Sequence, residues 1–225
     1  MAKKVYDIIK KRKHVVHYDM NQIPPKDVIY KHLKLAWSMT PSKQNCFPYK
    51  IHILGPDFKE QKKKLWDLVV SNHFTMEEKG VEVGMIEAVS GRPNPYYYHI
   101  RHNPYTLIIT PRLVLKQNEH YTEQIRDGHY MEQMDPVRMA GRKDIDAISI
   151  EVGMFVANLC ATLMEQGLDI SYTNCFPRDV KHWKKDFGFI EYAPVLLVSI
   201  GKAEHYRGFV KGDTKAPFED IIEWR

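Results

Sequence analysis

One long apolar segment, residues 144–166, constrains the fold of this chain more than any other feature. Its apolar residues recur at the spacing of one helical face. Asp144 is a suitable N-cap and Gly167 a suitable C-terminal stop, so the pattern predicts a single helix between them. The other side of this helix carries small residues, namely Gly153, Ala157 and Ala161. Because small residues let a second helix approach closely, we expect a central helix of the core or of a dimer.

Several shorter elements are predicted around this helix. Strands are predicted at residues 49–54, 106–110 and 194–201, which either alternate or are apolar throughout. Helices are predicted at residues 24–37, 58–71 and 178–186. In the second of these helices, the residues expected to face inward are Phe58, Leu65, Leu68 and Val69. Since strands and helices do not alternate regularly, the pattern predicts an α+β fold.

Length and composition indicate a single globular domain over residues 1–225. The chain is 44% hydrophobic and 27% charged, and no linker-like stretch divides it. No apolar run approaches the roughly 20 residues of a membrane span, and the N-terminus lacks a signal-peptide core. We therefore expect a cytoplasmic protein without a membrane partner. Three widely separated cysteines argue against a disulfide framework and against a zinc cage.

The net charge of +5 is mild and is compatible with anionic cofactors or with nucleic acid. The basic residues are scattered, however, and no recognised nucleic-acid module occurs, so no nucleic-acid partner is expected. A basic nucleic-acid-binding protein remains the alternative from a different functional class. It predicts salt-dependent binding and a colourless preparation.

Three separated polar segments have the composition of ligand-binding loops. In Lys11-Arg12-Lys13-His14, cationic side chains can converge on a phosphate, although such runs are also typical of solvated surface. Residues 41–49 (PSKQNCFPY) form a proline-flanked run of hydrogen-bonding side chains that leads into a strand. Residues 167–177 follow the long helix and can direct a backbone N–H at a ligand. Taken alone, residues 41–49 are equally compatible with an ordinary connection between a helix and a strand, and residues 167–177 give only a weak signal.

Taken together, the order and spacing of these segments resemble the nitroreductase family. In that family an early RRSxRxF-like motif binds the phosphate of FMN, and it corresponds here to residues 12–18. A PSxxNxQPW loop supplies flavin contacts and corresponds to residues 41–49. A core helix ending in GLxS precedes a loop whose backbone amide reaches the flavin N5, here Asn174-Cys175. An apolar strand ending in Gly and a basic tail complete the pattern, here residues 194–201 and 211–220.

The resemblance covers about residues 4–54 and 144–224, and it leaves residues 77–141 as a variable excursion or lid. The FMN-binding residues that it implies are Arg12, Lys13, His14, Pro41, Ser42, Lys43, Asn45, Asn174, Cys175, Lys211 and Lys215. The chain departs from the family pattern at His14, which replaces Ser, at Val16, which replaces a second basic residue, and at Cys46-Phe47, which replaces a small residue and Gln.

The resemblance also implies the assembly and the reaction. It implies a mainly antiparallel sheet surrounded by helices, in an intertwined homodimer with FMN at the subunit interface. Each site would take Arg12 and His14 from one chain and the 41–45 loop from the other. NAD(P)H would pass hydride to the flavin, and an electron-poor acceptor such as a nitroaromatic or a quinone would then be reduced, in a ping-pong cycle. No side chain needs to act as acid or base, so no catalytic residue is assigned.

Three alternatives stay open within the same fold. These are a reductive dehalogenase, a flavin-consuming enzyme and a flavin-binding protein without turnover. A separate question is metal binding, because His99 and His102 have a spacing that can ligate a metal on a helix. No partnering Cys or acid cluster accompanies them, so we expect a structural role and no metal.

Overall fold

The computed structural model describes residues 7–8, 10–42, 47–74, 98–112, 147–206 and 220–222 of the 225-residue chain. Its helices are α1 (Lys26–Met39), α2 (Lys59–Phe74), α3 (Tyr98–Arg101), α4 (Ala147–Glu165) and α5 (Val180–Asp186). Its strands are β1 (Val15–Tyr18), β2 (Tyr49–Leu54), β3 (Tyr105–Pro111), β4 (Asp169–Thr173), β5 (Leu196–Gly201) and β6 (Ala203–Tyr206). Of the predicted excursion at 77–141, only residues 98–112 lie within the described residues.

A four-stranded antiparallel sheet in the order β2-β3-β5-β4 forms the centre of the fold. All three strands predicted from the sequence belong to it, and β4 completes it. Strand β3 lies between two neighbours and is buried on both faces, which explains why its central residues 107–109 are all apolar without alternation. The sheet and its surrounding helices confirm the predicted α+β class.

Helices cover both faces of the sheet, and each face has its own apolar core. Helices α1 and α4 pack together on one face, where the core includes Ile29, Leu33, Leu107, Val152, Phe155, Leu159 and Val198. Helices α2, α3 and α5 cover the second face, where the core includes Leu54, Leu65, Val69, Ile100, Ile108, Trp183 and Phe187. The inward positions predicted for α2 are confirmed for Leu65 and Val69. The prediction for Phe58 is wrong, because Phe58 precedes the first turn of α2 and is 44% exposed.

Helix α4 is the long apolar helix that the sequence predicts. Residues 148–165 have a mean hydropathy of 1.4, enough by length and composition to cross a membrane, but half of this segment is buried within the fold. That burial is typical of a core helix. The side with small residues is different, since Gly153 and Ala157 are exposed in the single chain. The predicted N-cap, Asp144, lies outside the described residues.

A separate two-stranded antiparallel sheet pairs β1 with β6. The side chain of Ser171 attaches β1 to the edge of the central sheet: its hydroxyl accepts from the Val15 N–H (2.8 Å) and donates to the Val15 carbonyl (3.2 Å). Tyr18, at the other end of β1, donates its hydroxyl to the carbonyl of Ser199 on β5 (2.8 Å). These contacts fix β1, and therefore the basic segment that precedes it, against β4 and β5.

A row of small hydroxyl residues crosses the second face of the sheet, with Thr106, Ser199 and Ser171 opposite one another on β3, β5 and β4. The His99 ring joins this row, since its Nδ1 lies 3.2 Å from Ser199 Oγ. Burial, with a smaller contribution from the nearby His14, lowers the pKa of His99 to about 3. His99 is therefore a neutral, buried histidine in the folded protein at neutral pH.

Asn103 and Lys62 connect the row to the surrounding helices. The Thr106 hydroxyl donates to Asn103 Oδ1 (2.9 Å), and the Asn103 amide donates to the carbonyls of His99 (2.6 Å) and Ile100 (2.9 Å). Lys62 Nζ, from α2, donates to the carbonyls of Asn103 (2.7 Å) and Pro104 (2.9 Å). Hydrogen bonds of this kind offset the cost of burying polar groups, so this network holds α3 onto the sheet.

The low pKa of His99 predicts acid sensitivity of the fold. Between about pH 6.5 and pH 3 the unfolded chain binds a proton at His99 that the folded chain does not, so stability falls as the pH falls through this window. The contribution lost between pH 7 and pH 5 should be on the order of 2 kcal/mol. Urea unfolding at both pH values measures it.

The variant His99→Gln should show a smaller loss of stability between pH 7 and pH 5 than the unchanged protein, whatever its stability at pH 7. His182→Gln replaces an exposed histidine of α5 and serves as the matched control. An equal pH dependence of unfolding in His99→Gln and in the unchanged protein would show that His99 is not the responsible group.

Candidate functional site

The basic segment before β1 lies beside β4 and β6. The guanidinium of Arg12 lies over the ring of Tyr172 on β4, with its Cζ 5.4 Å from the ring centroid. Lys13 Nζ lies 5.6 Å from the ring centroid of Tyr206 on β6, and the Tyr206 hydroxyl in turn donates to Asp169 Oδ1 (3.0 Å). Cation–π contacts of this kind orient both side chains while leaving them exposed. The segment therefore presents two oriented cations that can bind a phosphate.

His14 has a different environment from these two cations. Its ring contacts the buried His99 edge to face, with the centroids 5.0 Å apart and the planes at 87°. The residue is only partly exposed. The structure thus places His14 against the polar network of the second core, while Arg12 and Lys13 rest on exposed aromatic rings.

The second predicted segment begins at Pro41 and Ser42, between α1 and β2. The Ser42 hydroxyl donates to Glu151 Oε2 (2.7 Å), and the Phe47 N–H donates to Ser42 Oγ (2.8 Å). Ser42 therefore joins the two ends of the loop and attaches them to α4. Lys43 and Asn45 lie outside the described residues. Glu151, whose carboxylate accepts this hydrogen bond from Ser42, is 4% exposed.

The far end of this loop is held in a strained conformation. Phe47 has a φ of 46°, in the left-handed region that a bulky residue rarely adopts. Its carbonyl accepts from Arg112 Nε (2.7 Å), and its ring packs against Trp37 at 5.5 Å between centroids. Strain of this kind persists only where neighbouring contacts over-determine the backbone, and it is common at ligand-binding sites. The replacement of the family's Gln by Phe47 thus creates an anchor for the loop.

Tyr49 and Glu151 belong to this site although the sequence did not single them out. The Tyr49 hydroxyl is buried and has no hydrogen-bond partner among the described residues. Burial, followed by the negative charge of Glu151, raises the pKa of Tyr49 well above its usual value. An unsatisfied buried hydroxyl is costly and is often explained by a ligand. The available sequence signals were the position of Tyr49 at the end of the loop motif and an acidic residue, Glu151, between the apolar residues of the long helix.

The third predicted segment, Asn174-Cys175, directly follows β4. The Cys175 N–H donates to Thr173 Oγ1 (3.2 Å), so a flavin contact through this amide would have to share or replace that hydrogen bond. Arg178 stabilises the turn, since its Nη2 donates to the Asn174 carbonyl (3.1 Å) and its guanidinium lies 4.7 Å from the ring centroid of Phe176.

Strand β4 brings two of the three segments close together, because Tyr172, which contacts Arg12, is two residues before Asn174. Ser42 instead contacts Glu151, near the start of α4. Arg12 lies near the other half of α4, where its charge partly offsets the increase in pKa that burial causes at Cys160. Glu151 and Cys160 are nine residues apart, or roughly 14 Å along the helix axis. Lys211 and Lys215 lie outside the described residues.

A model of the nitroreductase family matches residues 9–202. The chain belongs to the nitroreductase family. This match includes the three polar segments and the long helix, and it confirms the resemblance seen in the sequence. No match was found among curated proteins.

Solved structures of other nitroreductase-like proteins share the fold. An NAD(P)H:FMN oxidoreductase homologue from Staphylococcus epidermidis is 19% identical, with a TM-score of 0.61 and coverage of 99% of this chain and 96% of that one. A nitroreductase from Exiguobacterium sibiricum, solved in complex with FMN, is 18% identical, with a TM-score of 0.61 and coverage of 100% and 99%. A nitroreductase-like protein from Streptococcus mutans is 14% identical, with a TM-score of 0.66 and coverage of 98% and 97%.

The two histidines with metal-ligand spacing lie in different environments. His99 contacts Ser199 and His14, whereas His102 lines a cavity beside α2. Within the described part of the chain, no group of three or more His, Cys, Asp or Glu residues is arranged to hold a metal ion.

Ser42 should be important for the stability of this nitroreductase-family protein. The variant Ser42→Ala removes the acceptor of the Phe47 N–H and one donor to the buried Glu151, and each lost hydrogen bond costs about 1–2 kcal/mol. We expect a clear decrease in the free energy of unfolding, measured by urea denaturation. Ser42→Thr keeps a hydroxyl and should recover part of the loss.

The matched control is Ser38→Ala on α1, where an exposed hydroxyl donates only to the Leu35 carbonyl of its own helix (2.8 Å). Ser38→Ala should change the free energy of unfolding by no more than about 0.5 kcal/mol, as is usual for surface substitutions. Equal stabilities of Ser42→Ala and Ser38→Ala would contradict the assignment of Ser42 as the residue that closes the loop.

Proposed function

We propose that this protein binds FMN and acts as an oxidoreductase that takes electrons from NAD(P)H and passes them to an electron-poor acceptor. The observation that carries the proposal is the pair of oriented, exposed cations, Arg12 and Lys13, at the position of the family's phosphate-binding motif. The presence of FMN in the related structure from Exiguobacterium sibiricum supports this choice of cofactor.

The residues around these cations fit an FMN phosphate and ring. The planar guanidinium of Arg12 matches phosphate oxygens, and Lys13 adds a second positive charge. His14, which replaces the Ser of the family motif, contacts His99 and so lies against the second core. The buried Tyr49 hydroxyl, which lacks a hydrogen-bond partner among the described residues, offers a donor on the loop side. Lys43, Asn45, Lys211 and Lys215 remain proposed contacts.

In the proposed mechanism the protein binds, orients and shields, while bound FMN supplies the chemistry of accepting and donating hydride. Arg12 and Lys13 hold the phosphate, and the backbone at Asn174-Cys175 positions one edge of the ring. Ser42 and its hydrogen bonds keep the 41–47 loop in place. Reductant and acceptor would bind over the same face of the flavin in turn. Double-reciprocal plots of initial rate against NAD(P)H concentration, at several fixed quinone concentrations, should therefore be parallel lines.

We also propose a homodimer formed through the exposed side of α4. Ile150 is 52% exposed, and Gly153 and Ala157 leave a smooth surface beside it. On α1, Trp37 and Met39 are 48% and 47% exposed. An exposed apolar surface on a core helix is typical of a protein interface. Within one chain, Ser42 contacts Glu151 on α4 whereas Arg12 contacts Tyr172 on β4, an arrangement compatible with a site that takes the two segments from different subunits.

The first test is the cofactor itself. The purified full-length chain should take up FMN, show the absorbance bands of oxidised flavin and lose them anaerobically on addition of NAD(P)H. Arg12→Gln removes a charge-assisted pair and should weaken FMN binding about 10- to 100-fold. Lys34→Gln, at an exposed position on α1, is the matched control and should bind FMN like the unchanged chain.

Two results would contradict this proposal. One is a chain that stays colourless when FMN is supplied in excess. The other is an equal FMN affinity for Arg12→Gln and Lys34→Gln, which would separate the basic segment from the cofactor. Turnover assays with nitroaromatics and quinones then determine the class of acceptor.

The proposed dimer is tested at Ala157. Ala157→Glu places a charge on the small-residue side of α4, where burial in an interface would be strongly unfavourable. Sedimentation should show about twice the 26.5 kDa chain mass for the unchanged protein and the chain mass for the variant, with FMN content reduced. Lys185→Glu changes an exposed residue of α5 and should leave the dimer intact. A monomeric unchanged protein that retains one FMN per chain would refute the shared site.

A further inference from the structure

A cavity of about 330 Å³ lies where α2 begins beside α3 and the turn after β1. Residues from these three regions line it, including Met20, Pro56, Lys59, Lys62, Arg101 and His102. None of the residues proposed to bind FMN is among those that line it. Its volume is at the lower end of the range for small-molecule sites. The cavity is therefore a candidate for a second ligand.

The charges around this cavity are predominantly positive. Four Lys or Arg side chains line it, against one carboxylate, that of Glu60. Among the salt bridges of the described residues, Lys63 is the one of these four cations that takes part, and it pairs with Asp67 at 2.7 Å. The pKa of His102 is lowered, first by burial and then by the positive charges of Arg101, His17 and Lys59. The surroundings of His102 therefore show the same excess of positive charge. An anion in the cavity would relieve this repulsion.

Lys62 provides a buried donor at the cavity wall. The residue is 1% exposed, and its ammonium donates to two backbone carbonyls, those of Asn103 and Pro104. Burial lowers its pKa to about 8, while the charge of Asp57 acts in the opposite direction. An ammonium group has three N–H donors, so these two hydrogen bonds leave one for a ligand. The first turn of α2 adds the positive end of a 16-residue helix.

Arg101 provides a second, oriented cation at this cavity. Its Cζ lies 5.3 Å from the ring centroid of Trp66, and the side chain is half-buried. Contact with an aromatic face orients the guanidinium before any ligand arrives. Met20, Pro56 and the aliphatic part of the Lys59 side chain contribute apolar surface between the charges. The cavity thus combines fixed positive charges with an apolar wall.

We propose that this cavity binds a small organic anion that carries one carboxylate or phosphate group on an apolar body. Lys59, Lys62 and Arg101 would hold the charged group, and Met20 and Pro56 would contact the apolar body. The proposal is independent of the flavin site, because it uses none of the residues assigned to FMN.

Three probes of similar size test the chemistry of the cavity: benzoate, phenyl phosphate and the uncharged benzyl alcohol. Each is titrated into the full-length chain at constant ionic strength, and tryptophan fluorescence reports binding because Trp66 lies beneath Arg101. Saturable binding of benzoate or phenyl phosphate, at least tenfold tighter than benzyl alcohol, is the expected result. The tighter of the two identifies the preferred anionic group. Equal response to all three, or no saturation by either anion, would overturn the proposal.

Variants at the rim locate the site without disturbing the buried Lys62. Lys59→Gln and Arg101→Gln should each weaken anion binding roughly threefold to tenfold, as expected for the loss of one partly exposed charge pair. Lys64→Gln is the matched control, because Lys64 is on the same helix, faces Asp186 at 3.9 Å and does not line the cavity. Saturation-transfer NMR on the probe gives a second measurement that does not depend on Trp66.

Equal affinities in Lys59→Gln, Arg101→Gln and Lys64→Gln would place the anion elsewhere and refute this assignment. Arg12→Gln separates the two proposals. It should reduce FMN binding and leave benzoate binding unchanged, so failure of one proposal does not imply failure of the other. Loss of benzoate binding in Arg12→Gln would show that the anion binds at the phosphate site instead.

Discussion

The position of the proposed cofactor-binding cations depends on one serine hydroxyl. Ser171 Oγ accepts from the N–H of Val15 and donates to its carbonyl, so a side chain satisfies the backbone of β1 at the edge of the central sheet. Strand β1 is short and its other partner, β6, is largely exposed, so this attachment and the hydrogen bond from Tyr18 to the Ser199 carbonyl fix the chain direction there. Arg12 and Lys13, just before Val15, consequently reach the rings of Tyr172 and Tyr206. A position in the sheet core thus determines the geometry of a surface site.

A second constraint acts through α4. Glu151 is a buried carboxylate in a largely apolar helix, and burying a charge is unfavourable unless hydrogen bonds compensate. The Ser42 hydroxyl supplies one such bond, and the same oxygen accepts from Phe47, so the loop and the helix stabilise each other. The strained backbone of Phe47 is consistent with this arrangement, since strain is tolerated only where several contacts agree. The helix that forms the core therefore also shapes the loop of the proposed flavin site.

The elements that the sequence predicts well are those with a strong local pattern. Helix α1 begins directly after Pro25 and β2 runs over the residues that alternate, because proline geometry and side-chain alternation are local properties. Phe58 was assigned to the core wrongly because apolar character alone does not say whether a residue precedes the first turn. Strand β6 gave no signal, since it is short and mostly exposed and exists through its pairing with β1.

Local sequence patterns predict the candidate site less completely than they predict the helices and strands. The motif residues could be identified from order and spacing, but the contact between Ser42 and Glu151 joins positions that are 109 residues apart. Likewise, the cavity beside α2 joins the lysines of residues 59–63 to Arg101, about forty positions further along the chain, and the mild net charge of +5 gives no hint of it. Local charge density, and not total charge, decides which surfaces attract anions. The basic run at 11–14 and the group of Lys59, Lys62 and Arg101 therefore represent two distinct positive surfaces, and the second exists only because the fold brings Arg101 beside the first turns of α2.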